Sequence, residues 1–373
     1  MNETIIHILP AENLSLLSEM YRWGIEVIKV IQKIESPALT VLMKFITALG
    51  TEVFYVPLIL IIFWWIDEKR GLRFGILIIV SAWINAFVKD ILKQPRPYNL
   101  EPSVGLAAES SYGAPSGHAQ MSLTFWIYMA AWLVRSWAEK KPEPIDTEQK
   151  GVSFSPERKR FLIWAGAVFI ILLIGFTRLY LGVHFPTDLF AGWILGGIIL
   201  VLWFVPGPFF EKHFISAGIR FQNILAAVIA LVMNSVYPRD RSLPALFLGF
   251  CLGYNLMKSR FPFSARGNIN GKKPGIHIMI LRCVTGFAGM VIVYVALRFI
   301  LPGEGSLFKD LPVWGPFSPF YELGRFIRYG LIGFWAAAGA PLLFQRMGLA
   351  SLPDAGTAGN TDGGTNNSDD TSV

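Results

Sequence analysis

Long uninterrupted runs of apolar residues recur along the chain, and short polar stretches separate them. Runs of about 18 or more residues are long enough for an α-helix to cross a hydrocarbon core of roughly 30 Å. Five such spans are predicted first, at about 38–66, 71–92, 118–136, 161–179 and 186–206. Four further apolar segments follow, near 219–236, 243–257, 276–300 and 322–346. The pattern predicts an all-α, polytopic helical membrane protein, with a helix-bundle core and about four additional C-terminal transmembrane helices.

The segments beside these spans have a different character. Residues 16–36 are amphipathic and indicate an interfacial helix. The tail from residue 351 contains Asp and small polar residues but no Lys or Arg, so disorder is expected. We therefore divide the chain into an interfacial segment, a transmembrane core, a C-terminal transmembrane extension and a polar tail. Their predicted bounds are 1–37, 38–206, 207–350 and 351–373.

The composition agrees with a membrane protein, since 53% of the residues are hydrophobic and only 16% are charged. In a soluble chain the net charge of +7 would suggest a nucleic-acid partner. Here the basic residues lie mostly in short loops beside spans, so the positive-inside rule explains them and no nucleic acid is expected. Cys251 and Cys283 lie in apolar stretches and indicate neither a disulfide nor a metal site. The N-terminus lacks a basic region and a clear cleavage site, so no signal peptide is expected.

The basic loops also predict how the chain crosses the membrane. Three loops rich in Lys and Arg fall on one side, which is therefore expected to be cytoplasmic; they are 67–73, 137–160 and 258–273. The opposite, outer side carries the loops 93–117, 179–186 and 237–242. Arg239 and Arg241 lie on that outer side, against the rule. In this topology the end of the second span, the start of the third and the junction of the fourth and fifth share the outer face.

Two basic residues lie near the outer end of the second span. Lys89 stands in an otherwise apolar run, and Arg96 follows seven residues later. Pro95 and Pro97 break a helix, so Arg96 is expected just beyond its end. Both could be juxtamembrane anchors, but basic clusters are less expected on the outer side.

The motif PSGH at 115–118 lies where a polar loop becomes the third span. Ser116 is suited to cap the helix, and Gly117 lets a ligand approach the backbone closely. Free amides and the helix dipole make such an end an anion site, and His118 in the first turn can donate a proton to a leaving group. Taken alone, the motif is more often a helix cap beside a satisfied histidine.

A third cluster surrounds the junction of the fourth and fifth spans. Arg178 ends the fourth span, while His184 and Asp188 are four residues apart at the start of the fifth, where Pro186 suits the first helical position. This spacing can bring imidazole and carboxylate within hydrogen-bonding reach, and the other ring nitrogen then becomes a better nucleophile or base. Taken alone, a capped helix with an interfacial histidine explains the cluster equally well.

Metal binding is a competing use of these His and Asp side chains. Lys89, Arg96 and Arg178 would repel a cation, whereas they suit a phosphoryl group. The combined pattern therefore favours phosphate chemistry without a metal.

Three motifs together resemble those of a known family. Residues 89–97 fit K-x6-R-P, residues 115–118 are P-S-G-H, and residues 178–188 fit R-x5-H-x3-D. In this order they resemble the type 2 phosphatidic acid phosphatase superfamily of membrane lipid phosphatases. The resemblance covers about residues 38–206, and it departs from the family pattern at Thr177, where the family often has Ser.

The resemblance implies a mechanism and a role for each residue. His184 would attack phosphorus and form a phosphohistidine, Asp188 would orient it, and His118 would protonate the leaving group. The residues that would hold the phosphoryl oxygens are Lys89, Arg96, Ser116, Gly117 and Arg178. No metal or cofactor is implied.

A site on the outer face fits a lipid phosphate or diphosphate, with its head group in the polar mouth and its tail between spans. Membrane lipids are the other expected partners. Undecaprenyl diphosphate, phosphatidylglycerol phosphate, phosphatidate and sphingoid phosphates all stay open. The loop 98–114 is expected to form a wall of the mouth. Its Glu101 and Glu109 either bias the site against highly anionic head groups or belong to a solvated loop, and we favour the solvated loop. The compact loops favour a bacterial cytoplasmic membrane.

Two other functions stay open. A phosphotransferase would pass the phosphoryl group of the same phosphohistidine to an acceptor other than water. A lipid transporter or scramblase would keep the fold without the chemistry, although the intact motifs argue against that loss. The C-terminal half carries charged residues, most of which lie near predicted span ends and can snorkel to the interface: Arg282, Arg298, Glu322, Arg325 and Arg328. If they face inward instead, this half binds a second substrate or moves a lipid; if they face head groups, it is a scaffold, for example for homo-oligomerisation.

Overall fold

Helices make up the regular structure of the chain in the computed structural model. The structure describes residues 11–138, 155–269, 272–303, 305–311, 314–315 and 319–351, with side chains from residue 17 onward. In chain order the helices are α1 Ala11–Ile31, α2 Pro37–Ala48, α3 Glu52–Ile61, α4 Glu68–Leu92, α5 Pro97–Leu100, α6 Gly117–Ala138, α7 Pro156–Tyr180, α8 Pro186–Phe204, α9 Gly207–Ser216, α10 Gly218–Val236, α11 Ser242–Arg260, α12 Ile276–Ile300, α13 Tyr321–Phe334 and α14 Ala340–Arg346. Short π-helical turns follow α3 (Ile62–Ile66) and join α13 to α14 (Trp335–Gly339). The predicted all-α class is confirmed.

Six helical segments in the described part of the chain are long and apolar enough to cross a membrane. They are Glu68–Leu100, Pro156–Tyr180, Pro186–Phe204, Gly218–Val236, Ile276–Ile300 and Tyr321–Arg346. A seventh candidate is the pair Pro37–Ala48 and Glu52–Ile66, which is bent by 44°. The prediction of a multi-pass membrane protein is therefore confirmed.

Three of the predicted spans differ from the structure in detail. The single span expected at 38–66 is two helices, α2 and α3, because the chain breaks at 49–51. The segments 118–136 and 243–257 are helical, as α6 and α11, but they are not among the six most apolar candidates. For α6 the reason is a row of buried polar side chains: Gln120, Ser122 and Thr124. These groups lower the apolar character of the helix, yet they face protein rather than lipid.

The predicted flanking segments are covered only in part. The amphipathic stretch 16–36 lies mostly in α1, where Ile28 is fully buried while Trp23 is half exposed. Gln32, directly after α1, donates to the carbonyl oxygens of Val104 and Tyr180 at 2.8 and 2.9 Å. The expected disorder of the tail falls on 352–373, outside the described residues.

The chain forms two compact units, and the first contains all three motifs. It comprises residues 1–59, 73–218 and 232–243. In it, α6 packs along α7 and α8. The close approach of α8 depends on Gly192, since a Cβ there would lie 2.5 Å from the carbonyl oxygen of Ser116. The N-terminal ends of α6 and α8 therefore meet.

A buried polar network holds α4 against the start of α6. Gln120 donates to the carbonyl oxygen and the hydroxyl of Ser81 at 2.8 and 2.9 Å. Asn85 donates to the side-chain oxygen of Gln120 at 2.8 Å and to the carbonyl oxygen of Pro115 at 3.3 Å. Because these groups are buried, each bond prevents an unpaired polar atom and restricts the register of the two helices.

The second unit has an aromatic core and a buried arginine, Arg282. It comprises residues 60–72, 219–231 and 244–373. Trp64 donates through its indole nitrogen to the carbonyl oxygen of Ala336 at 2.9 Å, and a Cβ at Gly286 would lie 2.7 Å from the Trp64 ring. The units interleave along the sequence, and the four segments predicted above stay a prediction.

Arg282 does not snorkel to the interface, so that interpretation is wrong for this residue. Its side chain is fully buried. The guanidinium donates to the carbonyl oxygens of Ala265 at 2.7 Å, Leu349 at 2.8 Å and Trp64 at 3.2 Å. Carbonyl dipoles thus stabilise the charge inside the unit, whereas Arg298 is exposed as expected.

Candidate active site

His184 and Asp188 form a hydrogen-bonded pair at the junction of α7 and α8. The chain turns after α7 at Gly182, whose φ is +65°. A Cβ at this position would lie 1.8 Å from the carbonyl oxygen of Val104, so only glycine fits the turn. Oδ2 of Asp188 accepts from the backbone N–H of Phe185 at 3.0 Å and lies 3.2 Å from Nδ1 of His184. The predicted contact is therefore formed. Because the carboxylate accepts from Nδ1–H, the lone pair of the ring is on Nε2.

His184 is buried in positively charged surroundings. Its side chain is 1% exposed. Burial lowers the pKa of His184 well below its usual value, and the nearby charges of Arg178, Lys89 and Arg96 lower it further. The imidazole is therefore neutral at neutral pH, which is the form that can act as a nucleophile.

Arg96 lies beside the nitrogen of His184 that carries the lone pair. It follows the end of α4, as predicted, and precedes α5. Its Nη1 is 3.3 Å from Nε2 of His184 and donates to the carbonyl oxygen of Val183 at 2.8 Å. Nε and Nη2 donate to the carbonyl oxygen and the hydroxyl of Ser111 at 2.7 and 3.0 Å. These contacts fix the plane of the guanidinium next to His184.

Lys89 attaches the loop after α5 to the end of α4. Its Nζ donates to the carbonyl oxygens of Tyr112 at 2.6 Å and Gly113 at 3.0 Å. A Cβ at Gly113 would lie 3.4 Å from Oδ2 of Asp188. The ammonium group is thus held close to the His184–Asp188 pair.

Arg178 in the last turn of α7 brings α2 and the loop after α5 to the site. Its Nη1 donates to the hydroxyl of Thr47 at 2.8 Å, and its Nη2 pairs with Oε1 of Glu109. The other oxygen of Glu109, Oε2, lies 2.7 Å from Nη2 of Arg96. One carboxylate therefore bridges the two arginines, an arrangement that we call the Glu109 bridge.

The Glu109 bridge contradicts the expectation that both glutamates of this loop are solvated. That expectation is wrong for Glu109, whose carboxylate pairs with two buried cations. For Glu101 it agrees with the structure, since the carboxylate is partly exposed and pairs with Lys29 at 3.3 Å.

The PSGH motif lies at the start of α6, as predicted. Oγ of Ser116 accepts from the backbone N–H of Ala119 at 3.4 Å, so Ser116 caps the helix. The backbone N–H of Ser116 donates to the carbonyl oxygen of Asp188 at 2.9 Å and joins the second and third motifs directly. A Cβ at Gly117 would lie 3.0 Å from Oδ1 of Asn85, so the side chain of Asn85 lies close to the backbone at this position.

His118 packs against the break between α2 and α3. A Cβ at Gly50 would lie 2.8 Å from Cδ2 of His118. The two histidines and the three cations thus belong to one unit, and the arrangement suits an anion that a nucleophilic imidazole can attack. Among the described residues no group of three or more His, Cys, Asp or Glu could hold a metal ion.

Two parts of the chain are similar to known proteins. The sequence model of the PAP2 superfamily matches residues 70–209, and that of the PAP2 superfamily phosphatase transmembrane extension matches residues 242–352. Phosphatidylglycerophosphatase B of Bacillus subtilis (strain 168) is 32% identical over 183 residues, which are 48% of this chain and 79% of that relative. The chain belongs to the PAP2 superfamily. The resemblance inferred from the three motifs is confirmed, and so is the prediction of a membrane hydrolase of the lipid phosphatase type.

Other PAP2 relatives differ in what their names say they act on. Undecaprenyl-diphosphatase of Sulfolobus acidocaldarius is 26% identical over 192 residues, 48% of this chain and 76% of that relative. Among solved structures, the first transmembrane PAP2 type phosphatidylglycerolphosphate phosphatase from Bacillus subtilis is 26% identical. The match covers 56% of this chain and 90% of the chain in that structure, with a TM-score of 0.40.

Some residues of this candidate site were not predicted from the sequence. Thr47 and Gly50 contact Arg178 and His118 but precede the residues that the superfamily model matches. Asn85 contacts the start of α6. It could have been found from the sequence, because a polar residue within an apolar span indicates a functional or structural contact. For Thr47 the sequence carried no such signal.

Proposed function

We propose that this PAP2 protein is an integral membrane phosphatase that releases phosphate from a lipid phosphate or diphosphate through a phosphohistidine. One observation carries the proposal: Nδ1 of His184 is held by Asp188 at 3.2 Å, while Nε2 faces the guanidinium of Arg96 at 3.3 Å. A buried neutral imidazole oriented by a carboxylate is an activated nucleophile. The adjacent cations are suited to the negative charge of a phosphoryl group.

In the first half-reaction, Nε2 of His184 attacks phosphorus while the bond from phosphorus to the lipid oxygen breaks. Protonated His118 gives its proton to that oxygen, and the lipid alcohol, or the lipid monophosphate if the substrate is a diphosphate, leaves. Lys89, Arg96 and Arg178 stabilise the charge on the phosphoryl oxygens, which is most of the catalytic task in phosphoryl transfer.

In the second half-reaction, water attacks phosphorus and the bond to Nε2 of His184 breaks. His118, now neutral, takes a proton from that water, and inorganic phosphate leaves. Asp188 stabilises the positive charge of the phosphorylated imidazole throughout. Ser116 and Gly117, whose positions follow from the start of α6, add a hydroxyl and a backbone amide to the phosphoryl site.

We propose that this site opens on the outer side of a bacterial cytoplasmic membrane. The basic loops support that orientation by the positive-inside rule. The names of the relatives support a lipid that carries a phosphomonoester or diphosphate: phosphatidylglycerophosphatase, undecaprenyl-diphosphatase and sphingosine-1-phosphate phosphatase.

The proposal is tested by phosphate release from purified lipid phosphates and diphosphates in detergent, with EDTA present. We expect release to persist in EDTA and to vanish in His184→Ala. His213→Ala is the matched control, because His213 is exposed on α9 and its Nδ1 lies 2.8 Å from the carbonyl oxygen of Phe209 in the same helix. Turnover in folded His184→Ala comparable to that of the unaltered enzyme would contradict the phosphohistidine, and loss of activity in EDTA would contradict metal-free chemistry.

The same assay distinguishes the other candidate functions. A phosphorylated acceptor in place of free phosphate would indicate a phosphotransferase. Movement of lipid between leaflets without any release of phosphate would indicate a transporter or scramblase.

A further inference from the structure

A carboxylate of the protein itself occupies the space between two arginines of the proposed phosphoryl site. In the Glu109 bridge, Oε2 of Glu109 lies 2.7 Å from Nη2 of Arg96, and Oε1 pairs with Nη2 of Arg178. The arginine side chains are 2% and 3% exposed, whereas the Glu109 side chain is 28% exposed. Glu109 is therefore the more exposed partner of two buried cations, and an anion that is to pair with both arginines has to replace its carboxylate.

The backbone of Glu109 is anchored independently of its carboxylate. The hydroxyl of Tyr98 donates to the carbonyl oxygen of Glu109 at 2.8 Å and accepts from its N–H at 3.1 Å. A rotation of the Glu109 side chain into solvent would thus leave the loop in place. The bridge can open without unfolding any part of the site.

The charge of an entering head group decides whether it can replace this carboxylate. A phosphomonoester carries about −1.5 to −2 charges at pH 7, whereas a phosphodiester carries one, as does the carboxylate. Coulomb attraction to the same two arginines is proportional to that charge. In addition, a tethered group competes at an effective concentration on the order of millimolar or more. A phosphodiester is therefore attracted to the two arginines no more strongly than Glu109 is. A phosphomonoester or diphosphate carries more charge and is attracted more strongly.

We propose that Glu109 is a specificity-determining residue: it keeps phosphodiester head groups away from Arg96 and Arg178 and yields to dianionic ones. The proposal rests on the proposed function, in that the site takes a phosphoryl group. It reverses the sequence-based idea that this loop disfavours highly anionic head groups. A membrane enzyme has need of such a device, because phosphodiester lipids surround its mouth.

The test compares Glu109→Gln with the unaltered enzyme and with Glu101→Gln in detergent micelles. Glu101 is the matched control, since it belongs to the same loop but pairs with Lys29 instead of the site arginines. Phosphatidate is the substrate, phosphatidylglycerol is the phosphodiester competitor, and KM and the inhibition constant of phosphatidylglycerol are measured. Thermal unfolding in the same detergent establishes that each variant is folded.

For Glu109→Gln we expect the inhibition constant of phosphatidylglycerol to fall by about tenfold, the effect of losing one strong charged competitor. KM for phosphatidate should also fall, while Glu101→Gln should match the unaltered enzyme in both constants. An unchanged inhibition constant, or a higher KM in folded Glu109→Gln, would overturn the proposal.

Glu109→Asp distinguishes occupancy from a general negative field at the mouth. The shorter side chain keeps the charge but cannot reach both arginines at once, so inhibition by phosphatidylglycerol should rise towards that of Glu109→Gln. If Glu109→Asp behaves like the unaltered enzyme, charge alone is sufficient and the bridging role is wrong.

A binding assay distinguishes failure of this proposal from failure of the proposed function. Binding of short-chain phosphatidylglycerol to the unaltered protein and to Glu109→Gln requires no turnover. Tighter binding to Glu109→Gln in a protein that releases no phosphate would support the role of Glu109 and contradict the phosphatase. Phosphate release together with equal binding would contradict the role of Glu109 alone.

Discussion

Replacing Asp188 with asparagine removes one charge from the site with little change in shape. The Asp188 side chain is fully buried, and its Oδ2 contacts both Nδ1 of His184 and the backbone N–H of Phe185. The amide oxygen of asparagine can still accept from Phe185, so the start of α8 should form as before. What disappears is the negative charge beside the imidazole.

The size of the effect follows from the distance between the two side chains. The ring of His184 becomes positively charged when it takes the phosphoryl group. At an effective dielectric constant of about 20, a carboxylate 3.2 Å away stabilises that charge by ~5 kcal/mol. We therefore expect kcat to fall by about 10³- to 10⁴-fold, with a much smaller change in KM, because the phosphate-binding cations are untouched.

Initial rates of phosphate release over a range of substrate concentrations provide the measurement. Asp90→Asn is the matched control: Asp90 lies in α4 and pairs with the exposed Arg239 at 2.5 Å. Exposed ion pairs contribute little, so we expect less than about a twofold change in that variant. A folded Asp188→Asn enzyme that keeps more than about a tenth of the normal kcat would refute the reasoning, since the electrostatic contribution would then be below ~1.4 kcal/mol.

Three other predictions concern pH, a positioning contact and stability. Because the pKa of His184 is lowered, its imidazole should stay neutral, and its protonation should not reduce kcat/KM until the pH is well below about 6.5. The unfolded chain takes up this proton first, so stability should fall as the pH falls below about 6.5. A loss of kcat/KM on acidification that already begins above about pH 6.5 would contradict the neutral nucleophile. Thr47→Val removes the 2.8 Å hydrogen bond to Arg178 and should therefore raise KM about threefold or more in steady-state kinetics. An unchanged KM would show that Arg178 is positioned without the hydroxyl of Thr47. Arg282→Ala should cost about 3–5 kcal/mol of stability, because three carbonyl oxygens lose their donor. Arg298 is exposed, so Arg298→Ala should cost less than about 0.5 kcal/mol. Equal unfolding temperatures of the two variants in detergent would contradict this account.

Local patterns predicted much of the proposed site. His184 and Asp188 are four residues apart around a helix start, and that spacing alone brings their side chains together. Ser116 directly precedes an apolar helix, so its role as a cap also follows from neighbouring residues. The proline after Arg96 places that residue beyond the end of α4. In each case the decisive partner lies within a few residues along the chain.

The features that were missed involve partners far apart in sequence. Thr47 and Arg178 are 131 residues apart, and Glu109 meets Arg178 across 69 residues. A glutamate in a polar loop has the same local sequence whether water or an arginine surrounds its carboxylate. The break between α2 and α3 likewise lies in a stretch that is apolar enough to suggest one continuous span.

By itself, the sequence determined the helical membrane class, the family motifs and the residues proposed to act on phosphorus. These depend on the length of apolar runs and on short spacings, which the chain carries locally. Only the tertiary structure decided that Glu109 bridges Arg96 and Arg178, and that Arg282 is buried among carbonyl groups. Such pairings depend on how helices pack within each unit, and the one-dimensional pattern does not specify which polar groups that packing brings face to face.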